Sequence, residues 1–154
     1  MIVLENYLRA KAVTNVEVFG NIRHKKQIEF MCYDALNYLM PRTKKEVDVE
    51  VHFINKCDGN VAGDCYGDKE EVFINVAKTS YDYVYTFNER ILTLCHELVH
   101  AKQFIKGELG SCGVIWKGVD YSLIRDLKNQ PWEQEAFQLE VELYNKYKDV
   151  LGTV

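Results

Sequence analysis

The sequence predicts a single α+β domain, on three observations. Apolar residues recur at helical spacing in 23–40, in 86–107 and from 131 onward. Two central segments, 47–53 and 70–78, have the patterns of strands. The chain has 154 residues, of which 47% are hydrophobic, and this suffices for one core. We therefore expect one domain over residues 1–154, with its core at about 23–148.

Charge and cysteine content narrow the class of protein. The net charge of -4 provides no general basic field, so direct nucleic-acid binding is not expected. Five cysteines include no Cys-x-x-Cys pair, and the early Glu5 and Arg9 do not fit a secretion signal, which indicates an intracellular protein. No apolar run approaches the length of about 18 residues that suggests a membrane span.

The first elements are helical. Residues 2–12 have the pattern of a short helix, and 23–40 form an amphipathic helix that Pro41 ends. The basic run at 23–26, at the start of this helix, is interpreted as solvated surface, with contact to a partner as the alternative.

The middle of the chain predicts strands and turns. Residues 47–53 alternate apolar and polar side chains, as a half-buried strand does. The glycines and aspartates of 55–69 do not match a calcium loop, so turns around a short strand at 61–66 are favoured. Residues 70–78 form a further strand. If it lies at an edge of the sheet, it could bind an extended peptide; an ordinary paired strand is the alternative.

Residues 86–107, which we call the histidine helix, carry the main chemical signal. Thr86 and Glu89 have the spacing of a capping box, and Gly107 suits the residue past the last turn. His96 and His100 stand four residues apart, so their imidazoles lie on one face of a helix. A polar stripe on this helix predicts the lining of a cleft; it consists of Thr93, His96, His100 and Gln103.

Two histidines at this spacing can supply two of the three protein ligands of a catalytic zinc ion. Glu97, beside the first histidine, can accept a proton from a zinc-bound water. The alternative is that His-Glu-x-x-His occurs by chance and binds nothing.

A third ligand is sought in the helix that begins at Pro131, which we call the glutamate helix. Helical spacing predicts an apolar arc on this helix that consists of Trp132, Ala136, Leu139, Leu143, Tyr147 and Val150. Glu133 and Glu140 fall inside this arc, whereas Glu135 falls outside it. A carboxylate in an apolar setting needs a partner, and Zn²⁺ is one. Glu133 is the favoured ligand; a capping role for Glu133, or Glu135 or another acid as the ligand, remain alternatives. Glu140 could orient a histidine.

These motifs resemble a known family. His96-Glu97-x-x-His100 followed by a glutamate helix is similar to the gluzincin branch of zinc metallopeptidases. The segments CHELVHAKQF, WKGVDYS and PWEQEAF are similar to small SprT-like or minimal metallopeptidase domains found in bacteriophage genomes. The resemblance covers roughly residues 47–147. Two features depart from it: Phe137 stands where some gluzincins place an acid, and no third histidine follows His100.

The resemblance implies a zincin-like domain, with a small twisted mixed sheet packed on the histidine helix and a C-terminal glutamate helix. It implies one Zn²⁺ per chain held by His96, His100 and Glu133, with Glu97 as catalytic acid/base. The function expected is hydrolysis of peptide bonds in a protein or peptide substrate. Alternatives are a catalytically silent, zinc-stabilised interaction domain and a host-interaction domain without metal. Tyr121 could stabilise an oxyanion, although packing is the favoured role.

Overall fold

Four strands form a mixed sheet in the computed structural model, which describes residues 12–151. They are β1 (Val13–Gly20), β2 (Lys45–Ile54), β3 (Gly63–Gly67) and β4 (Glu71–Ala77). Their order across the sheet is β1-β2-β4-β3. The first, second and fourth strands run parallel, and β3 runs antiparallel to β4. Among the described residues, β3 is therefore one edge of the sheet.

Three α-helices accompany the sheet in this part of the chain. They are the packing helix (Lys25–Leu39), the histidine helix (Phe87–Ile105) and the glutamate helix (Pro131–Tyr147). Two short hairpins join the elements: β5 (Thr79–Ser80) with β6 (Tyr83–Val84), and β7 (Ile115–Trp116) with β8 (Val119–Asp120). The predicted α+β class and these three helices are confirmed. The helix predicted at 2–12 lies outside the described residues except at its last position.

The core lies between one face of the sheet and the helices. Every second residue of β2, from Val47 to Phe53, is buried, as the alternating pattern predicts. The packing helix lies against β1, and the histidine helix lies against β3 and β4. The glutamate helix packs on the histidine helix and has no comparable contact with the sheet. Between residues 12 and 151, no helix has both the length and the apolar character needed to cross a bilayer.

Both ends of the histidine helix match the prediction. The Thr86 hydroxyl accepts a hydrogen bond from Glu89 N at 3.1 Å, and the Glu89 carboxylate accepts one from Thr86 N at 2.9 Å. Gly107 adopts φ of 71°, the left-handed conformation that ends many helices. Contacts within this segment therefore define where the helix begins and where it ends, without any contribution from the glutamate helix.

One open alternative is excluded, and one prediction is wrong. The strand predicted at 70–78 is not an edge, because β4 pairs with β2 on one side and β3 on the other. The short strand predicted at 61–66 is present as β3. It pairs with the side of β4 that does not pair with β2. Val150 does not face the core: it is 46% exposed, because the glutamate helix ends at Tyr147 and Leu151 takes the inward position.

Candidate metal centre

Three side chains converge between the histidine helix and the glutamate helix. The Nε2 atoms of His96 and His100 lie 3.2 Å apart. Glu133 Oε1 lies 2.9 Å from each of them. This group, His96, His100 and Glu133, could hold a metal ion. The structure thus brings together the three residues that the sequence singled out as ligands.

The positions of the three side chains follow from the two helices. The spacing of four residues stacks both imidazoles on one face of the histidine helix. Glu133 lies in the first turn of the glutamate helix, which Pro131 opens. Its carboxylate contacts the histidines, and Gln130, at the N-cap, has no side-chain cap hydrogen bond. A capping role for Glu133 is therefore not what the structure shows.

Each histidine also has an acceptor for its other ring nitrogen. His96 Nδ1 lies 2.9 Å from Glu140 Oε2, and His100 Nδ1 lies 2.8 Å from Gln103 Oε1. Because these oxygens accept, Nδ1 carries a proton in both rings. Both Nε2 atoms also face an acceptor, Glu133 Oε1, and their lone pairs can bind a cation once the proton held there has left. Such outer partners typically orient metal-binding histidines.

Gln103 is the residue whose role the sequence did not reveal. The sequence predicts it in a stripe that lines a cleft, but in the structure it is fully buried. Its amide nitrogen donates to Trp132 O at 2.9 Å and to Glu135 Oε1 at 3.1 Å. The spacing of three residues between His100 and Gln103 indicates that their side chains are neighbours on the helix. The contacts of Gln103 with Trp132 and Glu135 arise only because the glutamate helix packs against it.

Glu135, the alternative ligand, is engaged elsewhere. Its carboxylate lies 2.8 Å from Lys102 Nζ, which also pairs with Glu108 at 2.8 Å. Lys102 is itself buried, so these ion pairs compensate a charge that would otherwise be costly to bury. Of these acids of the glutamate helix, Glu133 is therefore the one whose carboxylate contacts Nε2 of both histidines. Glu140 contacts His96 at the other ring nitrogen, Nδ1.

The electrostatics of the metal-free cluster are those of a compact ion pair. Burial disfavours the imidazolium of His96, but hydrogen bonds to Glu133 and Glu140 outweigh it and raise its pKa to about 10. Burial likewise opposes the charge on Glu133, yet hydrogen bonds from His100 and His96 lower its pKa to about 2. Burial also lowers the pKa of His100, and the bond to Glu133 reverses this to a net rise. A cation could replace the proton that the cluster holds.

Glu97 lies beside the cluster in an environment suited to proton transfer. It is 5% exposed, and its Oε2 atom is buried without a hydrogen-bond partner among residues 12–151. Burial raises its pKa to about 7, against the opposing effect of the two histidines. A buried carboxylate oxygen without a partner is costly, and such exceptions are often found where a ligand or water binds.

Two clefts flank the cluster. One has a volume of 420 Å³ and its walls include Val61, Leu92, Leu127 and Phe137. The other, of 270 Å³, extends past His100 toward Phe104, Leu109 and Trp132. Gly63 of the edge strand, Glu97 and Glu133 line both. The cluster therefore lies at the junction of two openings along one side of β3.

The donor set fits a divalent cation. Two ligand atoms bound about 2.05 Å from one tetrahedral ion lie about 3.3 Å apart, so the observed 2.9 and 3.2 Å require only a small spreading. Two imidazoles and one carboxylate are a ligand set of catalytic zinc sites, although they also suit other transition metals.

Tyr121 is not placed as an oxyanion donor. Its ring packs edge-on against Trp132, with centroids 5.9 Å apart, and it lines neither cleft. Asp120, in the same hairpin region, accepts a hydrogen bond from Ser122 N at 2.7 Å.

Comparison of the chain with protein-family models, curated proteins and solved structures gives no match.

Proposed function

We propose that the protein is a zinc-dependent metallopeptidase of zincin-like fold, related to the gluzincin or SprT-like domains that its motifs resemble. The convergence of His96, His100 and Glu133 beside the unpartnered Glu97 carboxylate is the observation that supports this most. A zinc ion held there would supply Lewis acidity and acidify a water to a pKa of about 7.

The chain's own residues have distinct tasks in this proposal. Glu140 and Gln103 keep Nδ1 of the two histidines protonated, so that both Nε2 atoms can bind the ion. Glu97 accepts the proton of the attacking water and delivers it to the departing amine nitrogen. Its pKa of about 7 suits both directions of transfer near neutral pH.

The substrate proposed is an extended protein or peptide segment. β3 is an edge of the sheet within residues 12–151, and its backbone could pair with an added strand. Gly63, at the start of this edge, lines both clefts beside the cluster. A chain lying along β3 would pass over Glu97 and place side chains into both openings.

The test compares wild type with Glu97→Gln, using metal analysis after dialysis and digestion of an unbiased peptide library. We expect one zinc per chain in both proteins, and cleavage by wild type only. Glu46→Gln, at an exposed position on β2, is the matched control and should cleave normally.

Each other outcome contradicts a different part of the proposal. Stoichiometric zinc without cleavage by wild type would contradict the peptidase and favour a silent, zinc-stabilised interaction domain. Absence of metal would contradict both and favour a metal-free interaction domain. Undiminished cleavage by Glu97→Gln would exclude the proposed proton transfer.

A further inference from the structure

The three parallel strands end at the same edge of the sheet, and the residues that follow them line one cavity. Asn21 follows β1, Asn55 follows β2 and Lys78 follows β4. Arg90, in the first turn of the histidine helix, completes the lining together with Phe53 and Ile54. The cavity has a volume of 200 Å³ and shares no lining residue with the clefts beside the candidate metal centre.

The polar side chains around this cavity include no anion. Two amides and two cations line it, and no carboxylate does. Within residues 12–151, neither Lys78 nor Arg90 forms an ion pair. The cavity is therefore a local concentration of uncompensated positive charge in a chain of net charge -4.

Arg90 is the most informative of these residues. Its Nε atom is buried and has no hydrogen-bond partner in the described part of the chain. The guanidinium of Arg23 lies over the same Phe87 ring that Arg90 approaches, at 4.3 and 6.0 Å from the centroid. Burial lowers the pKa of Arg90, and the charge of Arg23 lowers it further. An anion would relieve both effects.

We propose that this cavity binds a phosphate group, either as inorganic phosphate or as a small phosphate monoester. Crevices at the carboxyl ends of parallel strands are the usual ligand sites of open sheets. Arginine offers paired donors to a phosphate and lysine a point charge. The amides of Asn21 and Asn55 can add neutral donors. A dianion matches the two cations better than a carboxylate does.

The test is an NMR titration of the metal-loaded protein with inorganic phosphate, phenyl phosphate and acetate, at constant ionic strength. We expect saturable shifts at the side-chain amides of Asn21 and Asn55 with both phosphates. Lys78→Ala and Arg90→Gln should raise Kd by about tenfold or more, because a hydrogen bond to a charged group contributes about 1.5–3 kcal/mol. Lys44→Ala and Arg42→Gln, at exposed positions away from the cavity, should leave Kd unchanged.

Phenyl phosphate binding more tightly than phosphate would identify a monoester whose organic part contacts Phe53 and Ile54. Acetate binding as tightly as phosphate would overturn the phosphate assignment. Unsaturable shifts, or shifts confined to the surroundings of His96, would overturn the site. Arg90→Gln could disturb packing on Phe87, but Lys78 is exposed, so an unchanged Kd in Lys78→Ala counts against the proposal directly.

Discussion

Gln103 accepts a hydrogen bond from Nδ1 of His100 at 2.8 Å, while its amide nitrogen donates to Trp132 O and Glu135. These three contacts allow one orientation of the amide, since a flip would turn donors toward Nδ1–H and the oxygen toward two acceptors. The tautomer of His100 is therefore linked to the docking of the glutamate helix.

Replacing Gln103 should weaken metal binding. In Gln103→Leu, His100 loses the acceptor that orients it, and we expect metal affinity to fall by about 10–100-fold. The unfolding free energy should also fall by about 1–3 kcal/mol, because Trp132 O and Glu135 lose a donor. Competition with a chromophoric chelator measures the first effect and denaturant unfolding of the metal-free protein the second.

Gln103→Glu separates orientation from stability. The carboxylate still accepts from His100 but faces Glu135 and Trp132 O, so metal affinity should exceed that of Gln103→Leu although the fold is destabilised. Gln138→Leu, at an exposed position, is the control and should change neither quantity. Equal affinities in wild type and Gln103→Leu would show that Gln103 does not position the histidine.

Glu133→Gln should reduce metal affinity by about 100-fold or more, since losing an outer partner alone costs about 10–100-fold. The amide keeps the size of the side chain but removes the anionic ligand. Glu142→Gln, at an exposed site of the same helix, is the matched control. Chelator competition reports both, and an unchanged affinity in Glu133→Gln would remove it from the ligand set.

Metal affinity should rise with pH. The pKa of His96 is about 10 in the metal-free protein, so near neutral pH a proton must leave before Nε2 can bind a metal. Displacing one proton makes affinity increase by about tenfold per pH unit. Calorimetry in two buffers of different ionisation enthalpy counts the protons released. Release of none at pH 7 would contradict the protonated cluster.

The contribution of His96 and Glu133 to the stability of the metal-free protein should pass through a maximum as pH is varied. The pKa of His96 is raised from 6.5 to about 10, so its contribution is complete below pH 6.5 and is lost as pH rises toward 10. The pKa of Glu133 is lowered from 4.5 to about 2, so its contribution is complete above pH 4.5 and is lost as pH falls toward 2. Urea unfolding across pH should show this pair contributing most between 4.5 and 6.5. The trend should be much weaker in Glu133→Gln.

Gly63→Ala should disturb the contact between the edge strand and the histidine helix. A Cβ at this position would lie 2.6 Å from Thr93 Cγ2 and 2.9 Å from Asn75 O. Relieving this overlap requires backbone movement, for which we expect a loss of about 1–3 kcal/mol in unfolding free energy and weaker metal binding.

Gly110→Ala is the control for this substitution. Its nearest neighbour, Ile115 Cβ, would be at an ordinary 3.5 Å. Thermal unfolding and chelator competition should leave this variant close to wild type. If Gly63→Ala behaves in the same way, the edge strand does not fix the histidine helix.

Some features could be predicted from the sequence because they depend on neighbours along the chain. The capping box of Thr86 and Glu89 and the common face of His96 and His100 follow from helical spacing of three and four residues. The alternation in 47–53 likewise fixes which face of β2 is buried. The position of Glu133 within the apolar arc could also be predicted, because it depends only on the helical spacing of residues around the glutamate helix.

The tertiary structure decided what depends on pairing between distant segments. Whether β4 is an edge strand depends on whether β3 pairs with it, and the apolar pattern of β4 alone does not specify its pairing partners. The choice between Glu133 and Glu135 depends on how the glutamate helix docks, which also gives Gln103 its partners. Asn21, Asn55 and Lys78 meet because parallel strands end at one edge. Helical and strand periodicity act over a few residues, whereas register and docking are set by burial across the whole chain.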